Sequence, residues 1–411
     1  MKKLICIVFS MVLSFVLCGC DTSYFFEDFS AKEVFSQFLS PDKTVIEQEI
    51  IEEYYVYSPE FDSCYNSLNK EQKKIYKKIY SAAEIMPQGF VKLCEEYDGV
   101  VADVSIAYQA VLNDNAEIFW MPDTYLLGKK HDSDKVNICI AFSYSDEEQH
   151  VEYIVSAEER DSMREELKSK TAEIITASSI FNEDYEIEKF LNDYICTNTE
   201  YNKDAPFCDT AYGCLVLGQA LCEGYSRGFK LLCNEARIEC DLISGRAEDV
   251  AHMWNTVNIN GIRSFVDVTW NDQNNKSYAY FNITKSQLEF DHTVAPLFTE
   301  LNESKIINGK TFNFVERDCT SIENTYYKRM NCVFDDANKT FYNTFAAQKI
   351  EENVNKNVFD VTFLFDSQEL LKSFNSDNEL FITKIQKELK NVFISGYSFE
   401  RDVLTLIYEV L

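Results

Sequence analysis

Positive charge is scarce in this sequence. Lys and Arg number 39 against 68 Asp and Glu, which gives a formal net charge of -29. Nucleic acids and anionic membrane surfaces bind clustered Lys and Arg, so this composition argues against both as partners. The sequence also lacks a CxxC pair or a Cys/His cluster with zinc spacing, which argues against a structural metal site. We find no internal repeat and no low-complexity tract.

The rest of the composition is that of a globular protein, with 46% hydrophobic and 26% charged residues. A chain of 411 residues has room for two or three domains. We expect an α+β protein in which a central domain is flanked by two small α/β domains. The predicted bounds are an N-terminal domain with an extended lead-in at 20–165, the central domain at 170–304 and a C-terminal domain at 305–411.

Hydrophobic periodicity predicts the elements of the two outer domains. In the first, a helix over Leu68–Met86 has Asn69 and Gln72 at capping-box spacing. The further elements expected there are a helix through 104–112, strands at 138–144 and 151–155, and a charged helix over 158–178. The C-terminal domain should contain a strand over 359–365, a helix capped by Asp366 or Ser367, a helix around 381–389 and a closing strand over 404–410. This order is compatible with a small open sandwich such as the ferredoxin-like fold.

The first residues resemble an export signal. Leu4 to Leu17 is nearly all apolar but too short to span a membrane, as in the h-region of a signal peptide. Leu17-Cys18-Gly19-Cys20 resembles the lipobox of bacterial lipoproteins, which implies cleavage after Gly19 and acylation of Cys20. Residues 1–19 would then be the signal peptide, and the protein would be exported and lipid-anchored to the outer face of the bacterial cell membrane. A simple signal peptide without lipid is the alternative.

Eleven cysteines remain after Cys6, Cys18 and Cys20 are set aside. The number is odd, so at least one has no disulfide partner. Cys319 and Cys332 could pair in an exported protein, but small buried hydrophobic residues are an equally good interpretation of most of these cysteines.

Cys222 stands out because it lies where a loop passes into a helix. The segment runs Gly218-Gln219-Ala220-Leu221-Cys222-Glu223-Gly224-Tyr225-Ser226. A cysteine in a first helical turn lies near unsatisfied N–H groups and the positive end of the helix dipole, which favours the nucleophilic thiolate. The same N–H groups can hold an oxyanion formed when a carbonyl is attacked. The alternative is a buried, inert thiol.

A base and a carboxylate follow in a predicted hairpin. Asn260-Gly261 is a strong two-residue turn signal, which pairs residues whose numbers sum to 521. His252 and Asp267 are then diagonal neighbours on one side of the ribbon, provided that no bulge intervenes. A carboxylate there can hold the imidazole in its tautomer and orientation. His292 is the rival base, but His252 has the registered partner.

The order of these motifs resembles the transglutaminase-like superfamily, which has papain-type catalytic geometry. The resemblance covers residues 185 to 295 and rests on several motifs in order. They are Cys222-Glu223-Gly224-Tyr225-Ser226, His252-Met253-Trp254-Asn255, Asp267-Val268-Thr269-Trp270, Tyr280-Phe281-Asn282 and Asp291-His292. The resemblance implies Cys222 as nucleophile, His252 as base and then acid, and Asp267 as the residue that orients the histidine.

The expected function is that of an extracellular acyl-transfer enzyme, a protease, amidase or transglutaminase, acting on peptide, protein or cell-wall peptide through a thioester. No metal or organic cofactor is implied. Gln219 or Tyr212 could donate to the oxyanion and Trp254 could form a wall of the site, although each also fits a packing role. The alternative function is a catalytically idle lipoprotein that binds peptide or cell wall with the same fold.

Overall fold

The computed structural model describes residues 61–85, 90–123, 125–131, 134–142, 156–272, 278–307, 311–316 and 318–411. The signal peptide, Cys20 and the predicted strand at 151–155 lie outside these residues. The described chain has an α+β fold with several separate sheets, as expected from the sequence. Within the described ranges, no helix combines the length and apolar character needed to cross a membrane.

The first section packs helices against a three-stranded antiparallel sheet of order β1-β3-β2. Its elements are α1 (Ser63–Ser67), α2 (Lys70–Ile85), β1 (Val91–Glu95), α3 (Val100–Asp114), β2 (Tyr125–His131), β3 (Val136–Phe142) and α4 (Ala157–Ser178). The predicted capping box is confirmed, because the Asn69 side chain accepts from the Gln72 backbone N–H and the Gln72 side chain accepts from the Asn69 N–H. The helices predicted over 68–86, 104–112 and 158–178 are likewise confirmed.

The middle section contains the longest strands. Its elements are α5 (Asp184–Asn198), β4 (Glu200–Tyr201), a π-helical turn (Gly213–Leu217), β5 (Gln219–Ala220), α6 (Cys222–Glu235), β6 (Glu239–Ala247), β7 (Val250–Ile259), β8 (Ile262–Val266), α7 (Val268–Asn271), α8 (Lys285–Leu288), β9 (His292–Val294), a 3-10 turn (Phe298–Glu300) and α9 (Glu303–Ile307). Strands β6 to β9 form an antiparallel sheet of order β8-β7-β6-β9. Helix α6 packs on β6 and β7, which places the start of the helix beside this sheet.

The C-terminal section has a mixed four-stranded sheet of order β10-β11-β13-β12. Its elements are α10 (Tyr326–Arg329), β10 (Val333–Phe334), α11 (Tyr342–Val354), β11 (Asp360–Phe365), α12 (Gln368–Ser376), α13 (Asn378–Gln386), β12 (Val392–Glu400) and β13 (Val403–Val410). The ferredoxin-like expectation is wrong, because two helices follow β11 in succession and β12 and β13 form a terminal hairpin. Ser367 precedes α12, but its hydroxyl donates to Asp336 and does not cap the helix.

Apolar side chains form one large core that runs from Cys64 to Phe314 and joins the first and middle sections. The C-terminal section has its own cluster, which is rich in Phe and Leu. Cys319 and Cys332 are both buried but belong to different apolar clusters.

Candidate active site

Cys222 is the first residue of α6, as the sequence predicted. Leu221 precedes it in extended conformation and donates its N–H to the Cys208 carbonyl at 2.8 Å. Gly224 lets this loop approach the first turn, because a Cβ there would lie 2.2 Å from the Cys208 oxygen. The Cys222 side chain is partly exposed, whereas most of the other described thiols are buried. The sulfur therefore combines access with a helix N-terminus.

Two polar side chains fix α6 against β7. The Ser226 hydroxyl hydrogen-bonds the carbonyls of Cys222 and Met253, each at 2.9 Å. Asn255 is fully buried and donates its side-chain amide to the Ser226 carbonyl at 3.0 Å. These bonds give a structural role to Ser226 and Asn255, the Ser and Asn of the two sequence motifs. The sequence alone had assigned no role to either residue. They set the position of Cys222 relative to His252.

The hairpin register is confirmed, since β7 and β8 pair from Ile259↔Ile262 to Asn255↔Val266. The strand pairing that would make His252 and Asp267 diagonal neighbours on the ribbon does not extend to them, because β8 ends at Val266 and a helical turn follows. Asp267 ends the strand by capping this turn, with its Oδ1 accepting the Trp270 N–H at 3.0 Å. The other carboxylate oxygen, Oδ2, takes no part in this cap.

The three residues selected from the sequence lie together. His252 Nε2 is 2.7 Å from Asp267 Oδ2, and Cys222 lies near enough to the His252 ring to contribute to the raised pKa of the imidazole. The Asp267 side chain is 1% exposed and that of His252 is 8% exposed, so water is largely excluded from their bond. Cys222, His252 and Asp267 are thus neighbours in that order.

The electrostatics favour a charged imidazole. Burial opposes protonation of the His252 ring, but the charge and hydrogen bond of Asp267, together with Cys222, raise the pKa of His252 to about 10. Burial raises the pKa of Asp267, yet His252 and His292 outweigh that effect and hold this pKa well below its usual range. At neutral pH we therefore expect an imidazolium–carboxylate pair beside the thiol.

His292, which the sequence indicated only as a rival base, also contacts Asp267. Its Nε2 lies 3.1 Å from Asp267 Oδ2, the same oxygen that binds His252. Its ring is fully buried and packs edge-on against the rings of Trp254 and Trp270. The motif Asp291-His292 was visible in the sequence, but the hairpin register offered no reason to bring β9 to this place.

The three other residues suggested for the site, Gln219, Tyr212 and Trp254, have different outcomes in the structure. The Gln219 side-chain oxygen accepts from Asn202 at 3.2 Å, which leaves its amide group as a donor beside the start of α6. The Tyr212 hydroxyl donates to Glu166 at 2.8 Å, so we do not retain it as an oxyanion donor. Trp254 is completely buried and stacks near His252, with the ring centroids 6.0 Å apart. It supports the imidazole from inside the core and does not line an open cleft.

His252, Asp267 and His292 also present one nitrogen or oxygen each within 4.8 Å of one another. Two imidazoles and a carboxylate are a set that transition metals accept. In this structure, however, the two histidine–carboxylate distances are those of hydrogen bonds, which already account for these three atoms.

No family model and no curated protein matches this chain. A solved structure described as a TGase, that is, a transglutaminase, is similar over 37% of this chain and 46% of its own, with 12% identity and a TM-score of 0.26. A protein described as a candidate cysteine protease from Cytophaga hutchinsonii matches over 36% of this chain and 62% of its own, with 13% identity and a TM-score of 0.22. A candidate protease from Parabacteroides distasonis matches over 35% of each chain, with 7% identity and a TM-score of 0.21.

This chain covers less than two thirds of each of the three structures. The likeness is distant and confined to about a third of the sequence. At such TM-scores nothing about activity follows from it, and the function must be inferred from the geometry of the site.

Proposed function

We propose that this protein is a cysteine-dependent acyl-transfer enzyme that acts on amide or peptide bonds. The observation that supports this most directly is that Cys222, at the start of α6, lies beside His252, which contacts Asp267 at 2.7 Å. A nucleophile, a base within hydrogen-bonding reach and a third group that orients the base are what covalent catalysis by cysteine needs. The central section would then be a transglutaminase-like, papain-type domain.

In the first half of the reaction, the Cys222 thiolate, whose proton is held by His252, attacks the substrate carbonyl carbon and a C–S bond forms. The electron pair of the carbonyl moves to its oxygen, which the first N–H groups of α6 and the Gln219 amide can stabilise. When the oxyanion collapses, the C–N bond breaks and His252 gives its proton to the leaving amine. The product is a thioester on Cys222.

In the second half, His252 takes a proton from the incoming water or amine, which attacks the thioester carbon. The C–S bond then breaks and the sulfur leaves as thiolate. Water yields a carboxylic acid, as in a protease or amidase, and an amine yields a new amide, as in a transglutaminase. Both outcomes use the same side chains, so the choice lies with the acceptor that enters the site.

We infer the substrate class from the predicted location. If Cys20 is lipidated, the site faces the outside of the cell membrane, where envelope proteins and cell-wall peptides are within reach. Incubation of a cell-wall digest with the protein and with its Cys222→Ser variant, followed by mass analysis, would identify cleaved or cross-linked peptides. Peptides changed only by the unsubstituted protein would support this class.

Reactivity of the thiol tests the core of the proposal. At pH 7 we expect iodoacetamide to modify Cys222 at least about ten-fold faster than an ordinary thiol, of which only a few per cent is thiolate. Cys196 is also partly exposed and serves as the internal control in the same digest, whereas Cys94 does not, because burial raises the pKa of its thiol to about 11. His252→Ala should remove the advantage of Cys222 over Cys196.

A chromogenic ester then distinguishes chemistry from binding. Intact-mass analysis should show an acyl adduct on the protein that is absent from Cys222→Ser. If Cys222 reacts no faster than Cys196 and no acyl adduct accumulates, the enzyme proposal fails and the binding function takes its place.

A further inference from the structure

Both ring nitrogens of His292 contact carboxylate oxygens. Nε2 is 3.1 Å from Asp267 Oδ2 and Nδ1 is 2.5 Å from Asp291 Oδ1. A neutral imidazole has one N–H, so both contacts are hydrogen bonds only when the ring is doubly protonated. Burial opposes that form, but the bonds and charges of the two acids raise the pKa of His292. His292 is therefore a second buried cation next to Asp267.

The C-terminal section supplies a third cation. Arg401 lies in the two-residue turn between β12 and β13, with a left-handed φ of 54°. Its side chain is 3% exposed, and its Nε lies 3.8 Å from Asp291 Oδ2. The guanidinium also lies 3.9 Å from the centre of the Tyr280 ring and donates to the Gln287 carbonyl. The tip of the hairpin is thus bound to the middle section next to His292.

Cations and anions alternate along this path: Arg401, Asp291, His292, Asp267 and His252. We propose that Arg401, Asp291 and His292 are positioning residues for the candidate triad, through which the C-terminal hairpin sets the charge and orientation of Asp267. This inference rests on the proposed function. None of the three need touch a substrate, since each acts on the residue next to it.

The alternation makes a prediction about sign. Formation of the Cys222 thiolate adds a negative charge, so a nearby cation favours it and a nearby anion opposes it. Removing Arg401 should move the midpoint of the pH profile of Cys222 alkylation to higher pH, and removing Asp291 should move it to lower pH. Over roughly 10 Å and an effective dielectric constant of about 20 to 80, each unit charge shifts the midpoint by about 0.3 to 1.2 pH units.

Other charged groups near His292 must stay constant in this comparison. His292 lines a cavity of about 430 Å³ whose charged residues are Lys285, Glu289, Glu300 and Glu316. None of the planned substitutions changes these side chains.

The experiment measures the rate of Cys222 alkylation against pH in the full-length protein. Arg401→Met should raise the midpoint, Asp291→Asn should lower it, and the double variant should return it towards the original value. Arg401→Lys, which keeps the charge, should leave it nearly unchanged. The ion pair of Arg329 with Glu183, at 2.8 Å and partly exposed, provides matched controls, Arg329→Met and Glu183→Gln, which should not move it.

Opposite shifts cannot come from partial unfolding, which would change the two variants in the same direction. Shifts of the same sign, or shifts no larger than those of the control pair, would overturn the inference. That result is distinct from failure of the proposed function, which is judged from the fast alkylation of Cys222 and its loss in His252→Ala.

Discussion

Replacement of Asp267 by Asn tests whether the carboxylate is what keeps His252 charged. The pKa of His252 is raised from 6.5 to about 10, against the effect of burial. At about 1.4 kcal/mol per pKa unit, this corresponds to about 5 kcal/mol in favour of the charged ring. Asparagine has nearly the same shape and can still cap the helical turn at Trp270, so the charge is the main thing removed.

In Asp267→Asn, we expect the pKa of His252 to fall by at least about two units. Burial lowers this pKa, and only the weaker effect of Cys222 then remains to raise it. Alkylation of Cys222 at pH 7.5 should slow by about ten-fold or more, since the sulfur loses its cationic partner. Protein labelled with ¹⁵N-histidine suits the first measurement, because the sequence has only four histidines.

Asp249→Asn is the matched control. Asp249 lies in the tight turn before β7, three residues from His252, and is exposed. The same charge change there should leave the titration of His252 within a few tenths of a unit, because solvent screens it. A His252 midpoint in Asp267→Asn that stays within half a unit of the original would refute the electrostatic account of the site.

Three further outcomes follow from the same contacts. Because the folded-state pKa of His252 lies above its unfolded value, its contribution to stability is complete below about pH 6.5 and lost as pH rises through about 10; thermal melts should show this loss, and Asp267→Asn should not. Gly224→Ala should destabilise the protein by about 1–3 kcal/mol in urea unfolding, because the new Cβ meets a backbone oxygen, whereas Gly396→Ala, with open space around it, should be nearly neutral. Asn255→Leu should lower the free energy of unfolding by about 1–3 kcal/mol and slow Cys222 alkylation, because the hydrogen bond between β7 and α6 is lost. Unchanged alkylation would contradict the role of that bond in positioning Cys222.

Local signals predicted the elements of the site well. The turn at Asn260-Gly261 fixed the register of β7 and β8, because a two-residue loop allows one pairing. The start of α6 at Cys222 followed from the loop residues before it and the apolar stripe after it. What the hairpin rule could not show was the end of β8, since Asp267 uses its side chain to begin a helix.

Contacts between distant segments could not be derived in this way. His292 reaches the site because its strand, β9, pairs with β6. Arg401 reaches it from a turn more than a hundred residues after His292 in the chain. Neither position has a local periodicity that points to the triad. The same holds for the C-terminal sheet, where strand order depends on packing between elements and not on the pattern within each strand.

The shared core of the first and middle sections has a consequence for how the protein melts. Helix α6 carries Cys222 at one end, and its Arg227 side chain donates to the Leu112 carbonyl at the end of α3. The apolar contacts on both sides of that bond belong to a single cluster. Calorimetry should therefore record these two sections in one cooperative transition, and a covalent inhibitor on the thiol should delay the loss of both.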